Sequence, residues 1–235
     1  MSGGKVPDDS LLGMSSFPTL GRIASRGNVL ATLISAFAFA FSAVSFYETV
    51  LKQPKITVHV APVLHYGRDA GGEVEVIALP LTLNNEGAQS GTVLSLELAV
   101  DGGKLDDGSA IPTKTFYGAY FGEHPRDNNA VNKAFAPIGI AGRSSYSDTI
   151  RFYAKGKVRP FAINAEGTYR MTLTVTTAAP REPSIIDRIF RQGDPAPITF
   201  ERTLPWISDQ QLGMRRATIA MHARDWRPVA GAEAE

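Results

Sequence analysis

Residues 29–47 read VLATLISAFAFAFSAVSFY, nineteen positions without a charged side chain, set between Arg26 and Glu48. A helix of that length, at about 1.5 Å rise per residue, spans close to the ~30 Å hydrocarbon layer of a bilayer. Apart from the Tyr47 hydroxyl, its polar side chains are Thr32, Ser35, Ser42 and Ser45, each able to hydrogen-bond to the backbone of its own helix. The stretch predicts one transmembrane helix. It divides the 235-residue chain into a short leading tail and a body of about 180 residues, the size of one domain.

The tail, residues 1–28, is rich in Gly and Ser with two adjacent aspartates, a composition that predicts a flexible segment. Arg22 and Arg26 favour a cytoplasmic N-terminus by the positive-inside rule, an asymmetry that Lys52 and Lys55 beyond the helix reduce. Tyr47, with Phe46 beside it, is predicted to anchor the helix at the far interface, its ring among headgroups and its hydroxyl in water. Ala36-Phe37-Ala38 and Ala38-Phe39-Ala40 have the spacing of signal-peptide cleavage sites. The apolar run exceeds the roughly 7–15 residues of a signal core, however, so an uncleaved single-pass anchor is expected. Ala36 with Ala40, and Ala38 with Ser42, offer small-residue faces of the kind on which membrane helices associate.

Beyond residue 55 the hydrophobic pattern changes from continuous to period two, the signature of half-buried strands. Ile56-Thr57-Val58-His59-Val60 alternates up to Pro62. In 73–84, EVEVIALPLTLN, the apolar residues switch parity between Val76 and Ile77, which predicts a bulge there and confines Pro80 to an edge or to that irregularity. From 91 to 101 the alternation predicts Leu94, Leu96, Leu98 and Val100 inward. Residues 102–143 are the least regular part, with a strand expected over 113–120; further strands are expected over 144–153, 166–175 and 198–204, and 212–223 reads as another strand or a docking segment. Residues 184–190, SIIDRIF, have helical spacing and predict a short amphipathic cap, and 226–235 is small, acidic and predicted loose.

Within this pattern, Gly167-Thr168-Tyr169 entering the strand at 166–175 resembles the tyrosine corner of immunoglobulin-like sandwiches. The segment 81–87, LTLNNEG, followed by the alternation of 91–100, is similar to the strand, turn, strand pattern of bacterial immunoglobulin-like, cell-adhesion-related modules. The resemblance implies a mainly β protein, an immunoglobulin-like β-sandwich over 55–225 with insertions, on a single N-terminal membrane helix. It implies that the Tyr169 hydroxyl bonds back to the loop before its strand, and it transfers no activity.

Chemistry is sparse. Without cysteine the chain has no disulfides, thiolate metal sites or cysteine nucleophiles, and 24 Lys and Arg against 23 Asp and Glu give no electrostatic basis for binding nucleic acid. No Gly-x-Ser-x-Gly elbow, phosphate-binding glycine loop or His-Glu-x-x-His helix occurs. Asp106-Asp107 and Asp127-Asn128-Asn129 read as solvated turns, the latter without the spacing of a calcium loop. His59, His65, Met221 and His222 are the soft ligands through which a periplasmic copper carrier lacking cysteine would work. The bland reading of the same letters, isolated strand histidines and a core methionine, is the stronger one, so no metal or cofactor is expected.

The expectation is a non-enzymatic interaction or structural module, an accessory subunit or scaffold of a membrane complex. It sits in the inner membrane with its β domain on the periplasmic side, and its partners are the bilayer and other membrane or envelope proteins. Only about nine residues separate the helix from the first strand, and a free segment of that length reaches at most about 30 Å.

Overall fold

The computed structural model describes residues 20–69, 72–104, 108–124, 131–157, 159–178, 195–214 and 217–224. The cap expected at 184–190, the acidic pair at 106 and 107, the 127–129 turn and the 226–235 tail lie outside these residues. The chain separates into two compact units, Met1–Tyr47 and Glu48–Glu235, taken in turn.

The first unit carries helix α1, Leu20–Phe46, which a π-helical turn, Tyr47–Leu51, extends. Helical structure thus begins nine residues ahead of position 29. No proline lies between Pro18 and Pro54, so nothing in the covalent chain interrupts the backbone hydrogen bonds. Over Asn28–Leu51, 24 residues, the helix is long and apolar enough to cross a membrane, and none of its most apolar stretch is buried. Phe37, Phe39 and Phe41 are 74%, 76% and 78% exposed.

The second unit is mainly β. Its elements are β1 (Ile56–Val60), β2 (Val63–Asp69), β3 (Val74–Asn85), β4 (Gly91–Asp101), β5 (Lys114–Phe121), β6 (Lys133–Ala134), β7 (Ile138–Ile140), β8 (Ser145–Ala154), β9 (Gly167–Thr177), β10 (Ile198–Leu204), a one-turn helix α2 (Asp209–Leu212) and β11 (Thr218–His222). Eight strands pair antiparallel in the cyclic order β5-β8-β3-β2-β11-β10-β9-β4, and β4 returns to β5 through Glu97↔Tyr117 to Val100↔Lys114. The wall closes on itself. β1, β6 and β7 are short additions on β3, β5 and β4.

This barrel replaces the expected immunoglobulin-like sandwich. A sandwich keeps two sheets with separate edges, whereas here β4 is paired on one side with β9 and on the other with β5, so no boundary between two sheets survives there. Period-two alternation reports that one face of each strand is buried. It is silent on which strand pairs with which.

The interior is filled, not hollow. Leu64, Tyr66, Ile77, Leu79, Leu83, Leu98, Phe116, Ile150, Phe152, Met171, Leu173 and Met221 are each fully buried. On β9, Tyr169, Met171, Leu173 and Val175 point inward and their neighbours outward. Two irregularities fall elsewhere than the letters suggest. β3 keeps one register against β8 from Val76↔Tyr153 to Asn84↔Ser145, with no bulge at Ile77; Val76 and Ala78 are apolar because the outer face is covered as well. Breaks in register lie in β5, between Gly118 and Tyr120, and in β4, between Val93 and Ser95, where Val93 turns inward and Leu94 is left 44% exposed. Pro80 lies opposite the interruption between β1 and β2, where Ala61 N–H donates to its carbonyl at 3.1 Å, so no strand hydrogen bond is asked of its missing N–H on that side.

Candidate functional site

Three constellations in the second unit combine polar chemistry with burial. At the barrel end where β2, β4, β8 and β10 finish, Glu75 is 0% exposed. It lies on β3 at the parity of Ile77 and Leu79, so its carboxylate enters the core, where it must find partners. Oε1 accepts from the N–H of Ile163 at 3.0 Å and the hydroxyl of Tyr66 at 3.2 Å, and Oε2 from the N–H of Ala162 at 3.0 Å and Nζ of Lys114 at 2.9 Å. The Lys114 ammonium also donates to the carbonyl of Pro160, and the guanidinium of Arg68 stacks 4.0 Å from the Phe161 ring while Nη1 donates to Asp209 at 2.7 Å. One carboxylate thus ties the 160–163 loop to β3 and β5, and Arg68 ties α2 to β2. Burial, with the Glu75 charge beside it, holds the Tyr66 hydroxyl far above the usual phenol range. Every oxygen of Glu75 is engaged, which makes this a structural clamp.

On the outer wall, His65, Ala78, Pro80, Glu123, His124, Thr149 and Thr218 line a recess of about 250 Å³. His124 is 8% exposed, and neither ring nitrogen has a hydrogen-bond partner among the described residues. Its ring lies on the β2 backbone at Gly67, where a Cβ would fall 2.7 Å from Cδ2 and Nε2. Burial pulls its pKa below the usual histidine value; the Arg151 guanidinium adds to that and Asp69 opposes it. A neutral imidazole is therefore the resident form near pH 7.

At the opposite barrel end, Asn85 is 0% exposed and gathers three segments. Its Oδ1 accepts from the N–H of Lys55 at 3.1 Å and of Gly87 at 3.0 Å, and its Nδ2 donates to the carbonyls of Gln89, Ile140 and Ala141. Around it the carbonyl of Lys52 accepts from Ala88 and Gln89, the carbonyl of Leu51 from the Gln89 side chain, and the carbonyl of Glu48 from Arg143. Lys52 pairs with Glu48 at 2.8 Å and Lys55 with Glu86 at 2.7 Å; the hydrogen bond from Lys55 holds the Glu86 carboxyl below its usual range. The spacer read as free is therefore fastened to the barrel from residue 48 to residue 55.

The residues singled out in the sequence are distributed as follows. The Tyr169 hydroxyl donates to the carbonyl of Ala165 at 2.7 Å and accepts from its N–H at 3.2 Å, in a barrel and not in a sandwich. Tyr47 opens the π-helical turn. His65 and His222 share the outer face across β2 and β11, close enough that His65 adds to the burial that lowers the pKa of His222. Met221 points the other way and is fully buried in the core, and His59 lies on β1 in a separate groove with Thr82 and Asp148. Among the described residues no group of three or more His, Cys, Asp or Glu side chains is placed to hold a metal ion. Sequence reading passed over Glu75 and the lock at Asn85, and it placed His124 only as a histidine of the long irregular loop, not as a buried one. An acid between Val74 and Val76 reads as the outward residue of an alternating strand, and Asn-Asn-Glu-Gly reads only as a turn.

No family model and no curated protein matches the chain. A crystal structure described as the putative ApaA protein from Bordetella pertussis is similar at 13% identity, over 74% of this chain and 98% of that one, with a TM-score of 0.28. So loose a likeness carries no argument, and the fold stands on the strand pairings above.

Proposed function

We propose that the chain is a membrane-anchored interaction or structural module, an accessory subunit or scaffold of a membrane complex, with its N-terminus in the cytoplasm and its barrel in the periplasm. The observation that carries this reading is the joining of an uncovered, span-length apolar helix to a barrel whose interior is filled with side chains. A filled barrel leaves its outer wall and its loops as the surfaces on which it meets other molecules. The orientation rests on Arg22 and Arg26, which lie on α1 ahead of its apolar span.

The absence of cysteine makes orientation directly measurable. Single cysteines introduced as Ser10→Cys and Ser109→Cys in the full chain are exposed in turn to a membrane-impermeant maleimide in cells whose outer membrane has been permeabilised. The expected result is labelling of the Ser109→Cys chain alone. Labelling of the Ser10→Cys chain alone would reverse the orientation, and equal labelling of both would remove the membrane from the account.

A further inference from the structure

Glu48 is the residue that directly follows the apolar run 29–47, and it is already part of the second unit. The last carbonyls of a helical segment lack partners within that segment and, beside a bilayer, need donors from elsewhere. Two barrel turns supply them. The guanidinium of Arg143, from the turn between β7 and β8, donates to the carbonyl of Glu48. From the turn between β3 and β4, the Gln89 side chain donates to the carbonyl of Leu51, and the N–H groups of Ala88 and Gln89 to that of Lys52. The turns are closely seated: a Cβ on Gly87 would fall 2.0 Å from the carbonyl oxygen of Gln53, and the Arg143 N–H donates to the Gly87 carbonyl at 2.8 Å. Glu48 and Leu51 lie within Asn28–Leu51, the stretch apolar enough to cross a membrane. In a chain anchored by that stretch, groups bonded to their carbonyls are carried by covalent connection to the depth at which it leaves the hydrocarbon.

Of the cations brought to this depth, Arg143 is held differently from the other two. Lys52 is matched by Glu48 at 2.8 Å and Lys55 by Glu86 at 2.7 Å. Arg143 donates through Nη2 to a carbonyl, which carries no charge, and its side chain is exposed. A guanidinium presents five N–H donors in a planar fork, and this contact engages one of its nitrogens. The backbone singles out the same residue. Arg143 has φ +55°, the one positive φ at a non-glycine residue among the described residues. Glycine or asparagine takes that conformation at lower cost, so the turn by itself does not call for an arginine. A residue held in a sparsely populated conformation points to work done by its side chain.

We propose that Arg143 is a ligand for the headgroup phosphate of an acidic phospholipid, and that the turns at 86–90 and 141–144 are the face by which the barrel meets the bilayer. A phosphodiester offers two unesterified oxygens, which the guanidinium fork grips bidentately. An acidic headgroup is preferred to a zwitterionic one because the latter brings its own cation to compete for the phosphate, and the negative surface of an acidic leaflet attracts the arginine besides. Free phosphate has the same chemistry, but a site tethered at the membrane edge meets lipid phosphates at far higher effective concentration. This rests on the reading of the chain as membrane-anchored, and it names the surface and the lipid chemistry through which the barrel adds to the anchor.

The test uses the full chain in mixed vesicles of phosphatidylcholine and phosphatidylglycerol, with a trace of one or the other lipid spin-labelled. The fraction of each lipid immobilised at the protein gives its preference. Arg143→Asn removes the guanidinium while suiting the left-handed backbone, so the barrel folds as before. In that variant the preference for phosphatidylglycerol is expected to fall about twofold or more, and Arg143→Lys, which keeps the charge, to retain most of it. A nitroxide on Ser90→Cys, in the turn between β3 and β4, is expected to be shielded from a water-soluble nickel chelate. One on Ser109→Cys, beyond the end of β4, is expected to be open to it. An unchanged preference in Arg143→Asn, or equal collision with nickel at the two labels, overturns the proposal. So does loss of the preference when inorganic phosphate replaces chloride at equal ionic strength, which would assign the arginine to a free anion. Failure of the anchor reading appears instead as release of the unmodified chain by alkaline carbonate, which none of these outcomes brings about, so the two failures are distinguishable.

Discussion

Glu75 shows how a single buried charge is made tolerable. Its two oxygens accept four hydrogen bonds, two from backbone N–H groups of the 162–163 loop, one from Tyr66 and one from Lys114, whose own side chain is 10% exposed. Removing one member of such a buried pair strands the other, at a cost of about 3–5 kcal/mol. Glu75→Ala is expected to lower the stability measured in urea by that amount, and Lys114→Met in the Glu75→Ala background to recover part of it. His124 gives a pH signature of opposite origin. Its folded-state pKa is depressed by burial, so the unfolded chain binds the proton more readily. Its contribution is complete above about pH 6.5, the unfolded value, and is lost as pH falls. The urea midpoint is expected to drop between pH 7.5 and pH 5.5, and His124→Leu to flatten that drop. An unchanged slope in the variant would place the titration elsewhere.

At the scale of elements, the segment from residue 48 to residue 55 behaves as part of the barrel. The turn between β3 and β4 and the turn between β7 and β8 close on it. A Cβ on Gly142 would fall 1.8 Å from the carbonyl oxygen of Ala88, a backbone atom that cannot swing aside. Gly142→Ala is therefore expected to part the two turns. Asn85→Ala, which deprives two N–H groups and three carbonyls of their partner, is expected to cost about 2–4 kcal/mol. In both variants the amides of Ala88 and Gln89, held by the carbonyl of Lys52, are expected to exchange faster, and unchanged exchange would show that the segment is held by something else. The strands themselves were largely legible. β1, β4, β8, β9 and β10 fall within a few residues of their predicted places because each buries one face, and period two is what a buried face writes into a sequence. Irregularities were not legible: the parity switch at Ile77 marks a second covered face, whereas the adjacent apolar pair Val93-Leu94, the same kind of mark, does accompany a break, and the letters do not tell the two apart.

For the molecule as a whole, the letters identified two parts and the wrong closure. An uncharged run of apolar residues declares a helix of span length from composition alone. Whether eight alternating strands become a sandwich or a barrel depends on long-range pairing, here on the four residue pairs from Glu97↔Tyr117 to Val100↔Lys114, and no local pattern records those. The same holds for the candidate surfaces. His59, His65, Met221 and His222 look alike as letters, yet the alternation of β11 puts Met221 in the core and His222 outside.

The central claim, that α1 holds the barrel to a membrane, is tested most directly by alkaline carbonate extraction of membranes carrying the full chain. The unmodified chain is expected to stay in the membrane pellet. A chain with Phe37→Asp and Phe41→Asp, two positions that lie exposed on α1, is expected to pass into the supernatant with the thermal unfolding of its barrel unchanged. Release of the unmodified chain by carbonate would contradict the account.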